Sequence, residues 1–113
     1  MSEHILKNIE VNQALTLAEM VAYQPGQVVS RTLAQNKSVS LTIFAFDKGE
    51  EISSHSSQGD AMVTILEGSA RITIGEQTYD LAEGQTIVMP AGIAHAVAAS
   101  GPFKMFLTVV FPT

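Results

Sequence analysis

Glycines at 49, 59, 68, 75, 84, 92 and 101 divide the second half of this chain into segments too short for ordinary helices. A globular helix needs about ten or more residues free of such breakers, whereas a strand needs only about five or six. The segments between the glycines are apolar and rich in β-branched residues: 61–66, 69–74, 77–81, 85–89, 94–98 and 103–111. Many short strands at roughly 8–12-residue spacing, with no long helical stretch, predict an all-β sandwich or barrel.

The first third is less regular. Residues 14–21, Ala-Leu-Thr-Leu-Ala-Glu-Met-Val, read as two helical turns or a short strand, and Pro25-Gly26 marks a turn after them. Residues 1–26 thus form a short irregular or helical N-terminal extension to one domain spanning 1–113. A strand over Val28–Gln35 leads through Asn36-Lys37, a hairpin loop, into residues 38–46. There Val39, Leu41, Ile43 and Ala45 alternate with Ser38, Ser40, Thr42, Phe44 and Phe46, so the far half is apolar on both faces. The final segment is two-sided as well, with Phe103, Met105, Leu107, Val109 and Phe111 against Phe106 and Val110. Both patterns belong to strands covered on both sides, and the last is expected at the centre of a sheet.

Composition removes several function classes. The chain has no cysteine, which excludes disulfides, zinc ribbons, iron–sulfur sites and a thiol nucleophile. Its formal charge is −5, and Lys7, Arg31, Lys37, Lys48, Arg71 and Lys104 are scattered, so neither nucleic acid nor an anionic membrane is an expected partner. No segment approaches the ~18 apolar residues of a membrane span, and the first residues lack the apolar core of a signal peptide. A cytoplasmic location is the expectation. No Gly-x-Ser-x-Gly, phosphate-binding glycine loop or dinucleotide fingerprint is present.

Imidazole chemistry rests on His4, His55 and His95. His4 lies near a terminus and is expected in solvent. The other two sit in glycine-bounded segments. One runs from Gly49 through His55, Ser57, Gln58, Asp60 and Ala61 to Gly68; the other runs from Gly84 through Pro90 and Gly92 to His95. Gly92 after Pro90 predicts a tight turn that brings His95 inward. The glutamates beside turn glycines, Glu50, Glu51, Glu67, Glu76 and Glu83, are expected in solvent.

These two segments resemble the paired motifs of the cupin superfamily, whose members are small jelly-roll β-barrels. The first family motif has a glycine, His-x-His, a glutamate and a closing glycine; the second has a glycine, Pro-x-Gly, a histidine and an asparagine. Gly84, Pro90, Gly92 and His95 match the second motif, and only its last position departs, as Ala99. Gly49, His55 and Gly68 match the first, but Ser57 stands for the second histidine and Ala61 for the glutamate. The resemblance covers about residues 40–110.

It implies a jelly-roll β-barrel and a divalent metal such as iron, zinc, manganese or nickel at the barrel mouth, with His55 and His95 as ligands. Asp60 and Gln58 are the nearby oxygen donors available in place of the missing ligands, although Asp60 is one residue off the family position and a one-residue slip reverses a strand's face. Ser57, Ala61, Met62, Val63 and Met89 are candidates to line the pocket, while packing in the core is the favoured expectation for Met62, Met89 and Met105. The resemblance also implies a homodimer, for which the apolar stretch Leu15–Tyr23 is available.

Two functional expectations follow. In the first, the barrel binds a small molecule in its cavity, with or without a weakly held divalent ion, and His55 and His95 orient the ligand. In the second, it is a metal-dependent enzyme of isomerase, decarboxylase or dioxygenase type that uses the same histidines as ligands. The fold alone does not choose between them.

Overall fold

In the computed structural model, which describes residues 4–112, the glycine-bounded segments are strands that pair antiparallel throughout. In chain order they are β1 Val28–Gln35, β2 Val39–Phe46, β3 Glu51–His55, β4 Asp60–Glu67, β5 Ser69–Ile74, β6 Gln77–Ala82, β7 Thr86–Met89, β8 His95–Ala98 and β9 Phe103–Val110. A five-stranded sheet has the order β1-β2-β9-β4-β7, and a four-stranded sheet the order β3-β8-β5-β6. The chain crosses between sheets after β2, β3, β4, β6, β7 and β8, which winds the strands into a jelly-roll barrel. No helix among the described residues is long and apolar enough to cross a membrane.

Packing follows from the strand pattern. β9 lies at the centre of its sheet between β2 and β4, as its two-sided apolar pattern predicts. Its inward row, Phe103, Met105 and Val109, joins Phe46, Val63, Ile65 and Ile72 in the core between the sheets. Phe46 and Phe103 stack at 4.5 Å between centroids and 13° between planes, with neither ring exposed. Asn36 caps the β1–β2 hairpin: its side-chain oxygen accepts from the N–H groups of Ser38 and Val39 at 2.8 and 3.0 Å.

β2 distributes its faces against the usual sense. Phe44 and Phe46 pack into the inter-sheet core, and Ser40, in the same row, lines a cavity at the barrel's end. The more uniformly apolar row, Leu41, Ile43 and Ala45, instead faces the outer side of the sheet. That side is covered by Leu17, Met20, Val21 and Tyr23 from the N-terminal segment. The expected helical turns or strand reduce to a single 3-10 turn, Leu17–Met20. The stretch Leu15–Tyr23, expected at a dimer contact, is largely occupied within its own chain, and Leu15 stays exposed.

Three side chains fasten that segment. The Tyr23 hydroxyl donates to Glu67 Oε2, and Lys104 Nζ donates to the Ala18 carbonyl while lying 4.9 Å from the Tyr23 ring centroid and 3.9 Å from Glu67 Oε2. Lys104 is buried, and its charge is balanced by a carboxylate, an aromatic face and a carbonyl. Glu67 is therefore a half-buried partner in a clamp, not the solvated turn residue the sequence suggested. Gly68 follows it at φ +77°, where a β-carbon would stand 2.6 Å from the Pro102 carbonyl oxygen. Only glycine fits both constraints.

Candidate functional site

β3 and β8 bring the two motif histidines together. Ile52 pairs with Val97 and His55 with His95, so β3 carries one residue more than its partner between these pairs. This bulge breaks the strand's period of two and turns both Ile52 and His55 toward the interior. His95 is carried by the turn before β8. Gly92 adopts φ +78°, and the Ile93 N–H donates back to the Pro90 carbonyl at 3.3 Å. The Gly92 N–H donates to the Ser57 carbonyl at 2.8 Å, which ties the His95 turn to the loop after His55.

The imidazole rings meet edge to face, with centroids 4.4 Å apart and planes at 70°. His55 is exposed at the rim and His95 is buried. Each Nδ1 faces a backbone carbonyl two residues earlier, Ser53 at 2.9 Å and Ile93 at 3.3 Å. A carbonyl can only accept, so these contacts place the proton on Nδ1 and leave both Nε2 lone pairs free in the neutral rings. Burial holds the His95 pKa below the ordinary histidine value, the neighbouring His55 lowers it further, and the Ile93 carbonyl opposes them.

Both rings line a cavity of about 280 Å³ at the open end of the barrel. Ile52 and Val97 from the four-stranded sheet form part of its wall, with Ala61, Met89, Met105, Leu107, Val109 and Phe111 from the opposite side. Gln35, Ser40, Ser56 and Ser57 add uncharged polar groups. His55 and His95 are the only ionisable side chains among the lining residues.

The other sequence candidates divide cleanly. Ser57, Ala61 and Met89 line the cavity. Val63 is fully buried deeper in the core and does not line it. Met62 is 39% exposed on the outward row of β4. Asp60, the expected extra donor, is exposed at the first position of β4, and its Oδ1 accepts from the Ala91 N–H at 2.8 Å. Together with Gln58 it lines a separate depression beside Val110 and Pro112. The physical reason is the alternation of β4: Ala61 faces in, so Asp60 faces out. Asp60 serves instead as a brace for the turn that carries His95. His4 is exposed, as expected.

The donor set does not fit the three-imidazole, one-carboxylate metal group that the motif resemblance implies. Among the described residues, no group of three or more His, Cys, Asp or Glu side chains is placed to hold a metal. Ala61 offers no donor atom, and the Ser57 hydroxyl accepts from the Gly59 N–H at 3.1 Å. A serine hydroxyl at neutral pH is a protonated, weak ligand in any case.

Three polar contributors, Gln35, Ser40 and Ser56, were not among the pocket residues the sequence singled out. Gln35 and Ser40 stand opposite each other at the end of the β1–β2 hairpin and line the cavity. The available signal was Ser40 in register with Phe44 and Phe46: a polar residue in the row of a core strand marks a cavity.

Comparisons with known proteins agree with this architecture. The cupin domain model matches residues 42–111. The crystal structure of a conserved protein of unknown function from Streptococcus pyogenes is 51% identical with a TM-score of 0.97, covering 100% of this chain and 99% of that one. A cupin superfamily protein from Desulfitobacterium hafniense is 36% identical with a TM-score of 0.90, covering 95% and 98%. An uncharacterised protein of Streptomyces coelicolor is 31% identical over 61 residues, which is 54% of this chain and 58% of that protein. The match thus spans less than two thirds of that relative's length. With the family match covering more than half its length and its strands wound as a jelly roll, this chain belongs to the cupin-domain family.

Proposed function

We propose that this chain is a small-molecule-binding cupin barrel whose ligand occupies the cavity beside His55 and His95. The observation that carries this reading is the cavity itself, with apolar walls from both sheets and a few polar groups gathered near two imidazoles. Ligand sites are mostly apolar, with a small number of polar groups that fix orientation. The volume of about 280 Å³ lies near the lower end for such sites and suits a body of roughly ten non-hydrogen atoms, at ~30 Å³ per water-sized group. A resident metal is not required in this reading.

Methionine methyl resonances test it, because Met89 and Met105 line the cavity while Met62 lies outside. Methyl-labelled protein is titrated with benzoate, benzyl alcohol and hexanoate. The expected result is saturable shifts at Met89 and Met105, with Met62 unmoved, and loss of those shifts in Ala61→Leu, which fills the cavity. Shifts that are absent, or that survive the filling substitution, count against the reading. Metal analysis of the same protein is expected to give well under one equivalent of iron, zinc, manganese or nickel.

A further inference from the structure

We infer that the ligand is a small uncharged alcohol or phenol whose hydroxyl donates a hydrogen bond to His95 Nε2 and whose apolar body packs along Ile52, Val97, Leu107 and Phe111. The inference rests on the cavity being the ligand site and adds the chemical class and orientation of the occupant.

One unpartnered nitrogen carries it. His95 is 4% exposed, and its Nδ1–H is spent on the Ile93 carbonyl at 3.3 Å. Its Nε2 has no hydrogen-bond partner among the described residues, yet among them no buried side-chain nitrogen or oxygen is both sealed off and unpartnered. Nε2 is therefore open, and it opens on the cavity that the ring lines. In this tautomer it holds a lone pair and no hydrogen, so it only accepts. Solvent satisfies it when no ligand is bound. A ligand that fills the cavity shuts solvent out, and a buried acceptor left unpaired costs free energy. The occupant must bring a donor. His55 makes no such demand, because its side chain is exposed at the rim and solvent still reaches it.

The same nitrogen sorts the ligand classes. A carboxylate has no hydrogen to give and sets its charge against the lone pair. An organic ammonium can donate, but His55 and His95 are the only ionisable side chains in the lining, so no carboxylate balances the buried charge. An ether leaves Nε2 unpaired. A polyol presses further hydroxyls against aliphatic and aromatic walls that cannot bond them. An amide donates too, but its carbonyl, on a different atom, asks for a further donor.

A single hydroxyl meets the requirement, and its oxygen accepts in turn. Ser57 has a hydrogen to offer there: its oxygen takes the Gly59 N–H at 3.1 Å, which leaves its own O–H to donate. Ser57 lines the same cavity as His95. The apolar walls then cover the rest of the molecule, as in ligand sites where a few polar groups fix orientation.

The test is calorimetric titration of metal-stripped protein at pH 8, where an ordinary imidazole is neutral. The probes are benzyl alcohol, benzyl methyl ether, benzamide, benzylamine and benzoate, which share a ring and differ in the polar group. Benzyl alcohol is expected to bind at least tenfold more tightly than each of the others, since a site built around a hydroxyl rejects analogues that lack it. With isotope-labelled histidine nitrogens, saturating benzyl alcohol is expected to shift the His95 Nε2 resonance while the proton stays on Nδ1. Benzyl methyl ether is expected to leave that resonance in place. His95→Phe keeps a ring and loses the acceptor; it is expected to weaken benzyl alcohol at least tenfold and to spare the ether. The nitrogen spectrum of the natural chain keeps the test valid if that substitution unfolds the barrel. An ether within tenfold of the alcohol, or alcohol binding without a shift at Nε2, overturns the donor assignment while leaving the cavity as a ligand site. Benzamide, benzylamine or benzoate within tenfold of the alcohol overturns the hydroxyl class. Binding of benzyl alcohol only when zinc is added also overturns it, in favour of a metal-borne hydroxyl. Failure of all five probes to bind counts against both the assignment and the cavity reading.

Discussion

His55 at the end of β3 and His95 at the start of β8 stand directly opposite each other, one ring exposed and the other buried, with centroids 4.4 Å apart. Two imidazoles this close do not both carry a positive charge without repulsion, and burial together with the neighbouring ring holds the His95 pKa down.

A pH dependence of stability follows from that arrangement. The His95 pKa is lowered in the fold, chiefly by burial and then by His55. The unfolded chain therefore takes up the proton first as pH falls. The contribution of neutral His95 is complete above the ordinary value of about 6.5 and is lost as pH drops from there toward the folded-state pKa. Urea midpoints between pH 7.5 and 5.5 are expected to fall in the natural chain and to fall less steeply in His95→Gln. Parallel slopes for the two proteins would contradict the assignment.

The Tyr23–Glu67–Lys104 clamp fixes the N-terminal segment on the outer face of the five-stranded sheet, so its loss should expose Leu41, Ile43 and Ala45. Tyr23→Phe removes one hydrogen bond to a carboxylate and is expected to cost about 1–3 kcal/mol; Lys104→Met leaves the Ala18 carbonyl without its donor and is expected to cost a similar amount. Burial and Glu67 raise the Tyr23 pKa, so the folded state favours the protonated phenol. That contribution is present below the ordinary value of about 10 and is lost as pH rises beyond it. Chemical denaturation from pH 8 to 11 should show a steeper alkaline loss in the natural chain than in Tyr23→Phe.

Legibility in the sequence tracked what each residue type can signal locally. The turn glycines and the two-sided pattern of residues 103–111 placed most strands and the centre of the larger sheet, because chain reversal and burial on both faces leave a compositional mark. β3 left none: Glu-Ile-Ser-Ser-His has one apolar residue, and its strand character comes from pairing with β8 across a bulge. The same bulge sets the inward direction of His55, which spacing to a second motif could suggest but local pattern could not. Asp60 shows the converse. Its proximity to His55 in sequence was visible, while the register of β4 that turns it outward depended on pairing with β7 and β9. The inward Ser40 and the half-buried Glu67 were obscured because tertiary contacts outweighed the exposure usually associated with polar residues.

Gly68 and Gly84 separate backbone strain from steric conflict. Both hold positive φ, +77° and +85°, but a β-carbon at Gly84 meets nothing within 4 Å, whereas at Gly68 it meets the Pro102 carbonyl oxygen at 2.6 Å. Gly84→Ala is expected to cost about 1–2 kcal/mol from conformation alone. Gly68→Ala must also displace the backbone that leads into β9, and is expected to cost about 3 kcal/mol or more. Thermal or urea denaturation of the pair checks the difference, and equal costs would show that the Pro102 segment yields easily.

Restoring the absent donors tests whether Ser57 and Ala61 are what separate this cavity from a metal centre. Both residues line the cavity beside the two imidazoles, and Ala61 lies on the inward row of β4 where a longer side chain enters the same space. Ser57→His with Ala61→Glu would supply a third imidazole and a carboxylate, giving the three or four protein ligands that bind zinc or nickel tightly. The double variant is expected to retain about one equivalent of either ion through dialysis and to lose thermal stability on chelation, since a ligand that binds only the folded state raises its apparent stability. The natural chain is expected to retain well under one equivalent and to melt at the same temperature with or without chelator. Stoichiometric metal in the natural chain would show that two imidazoles and solvent suffice, and would remove Ser57 and Ala61 as the cause of the difference.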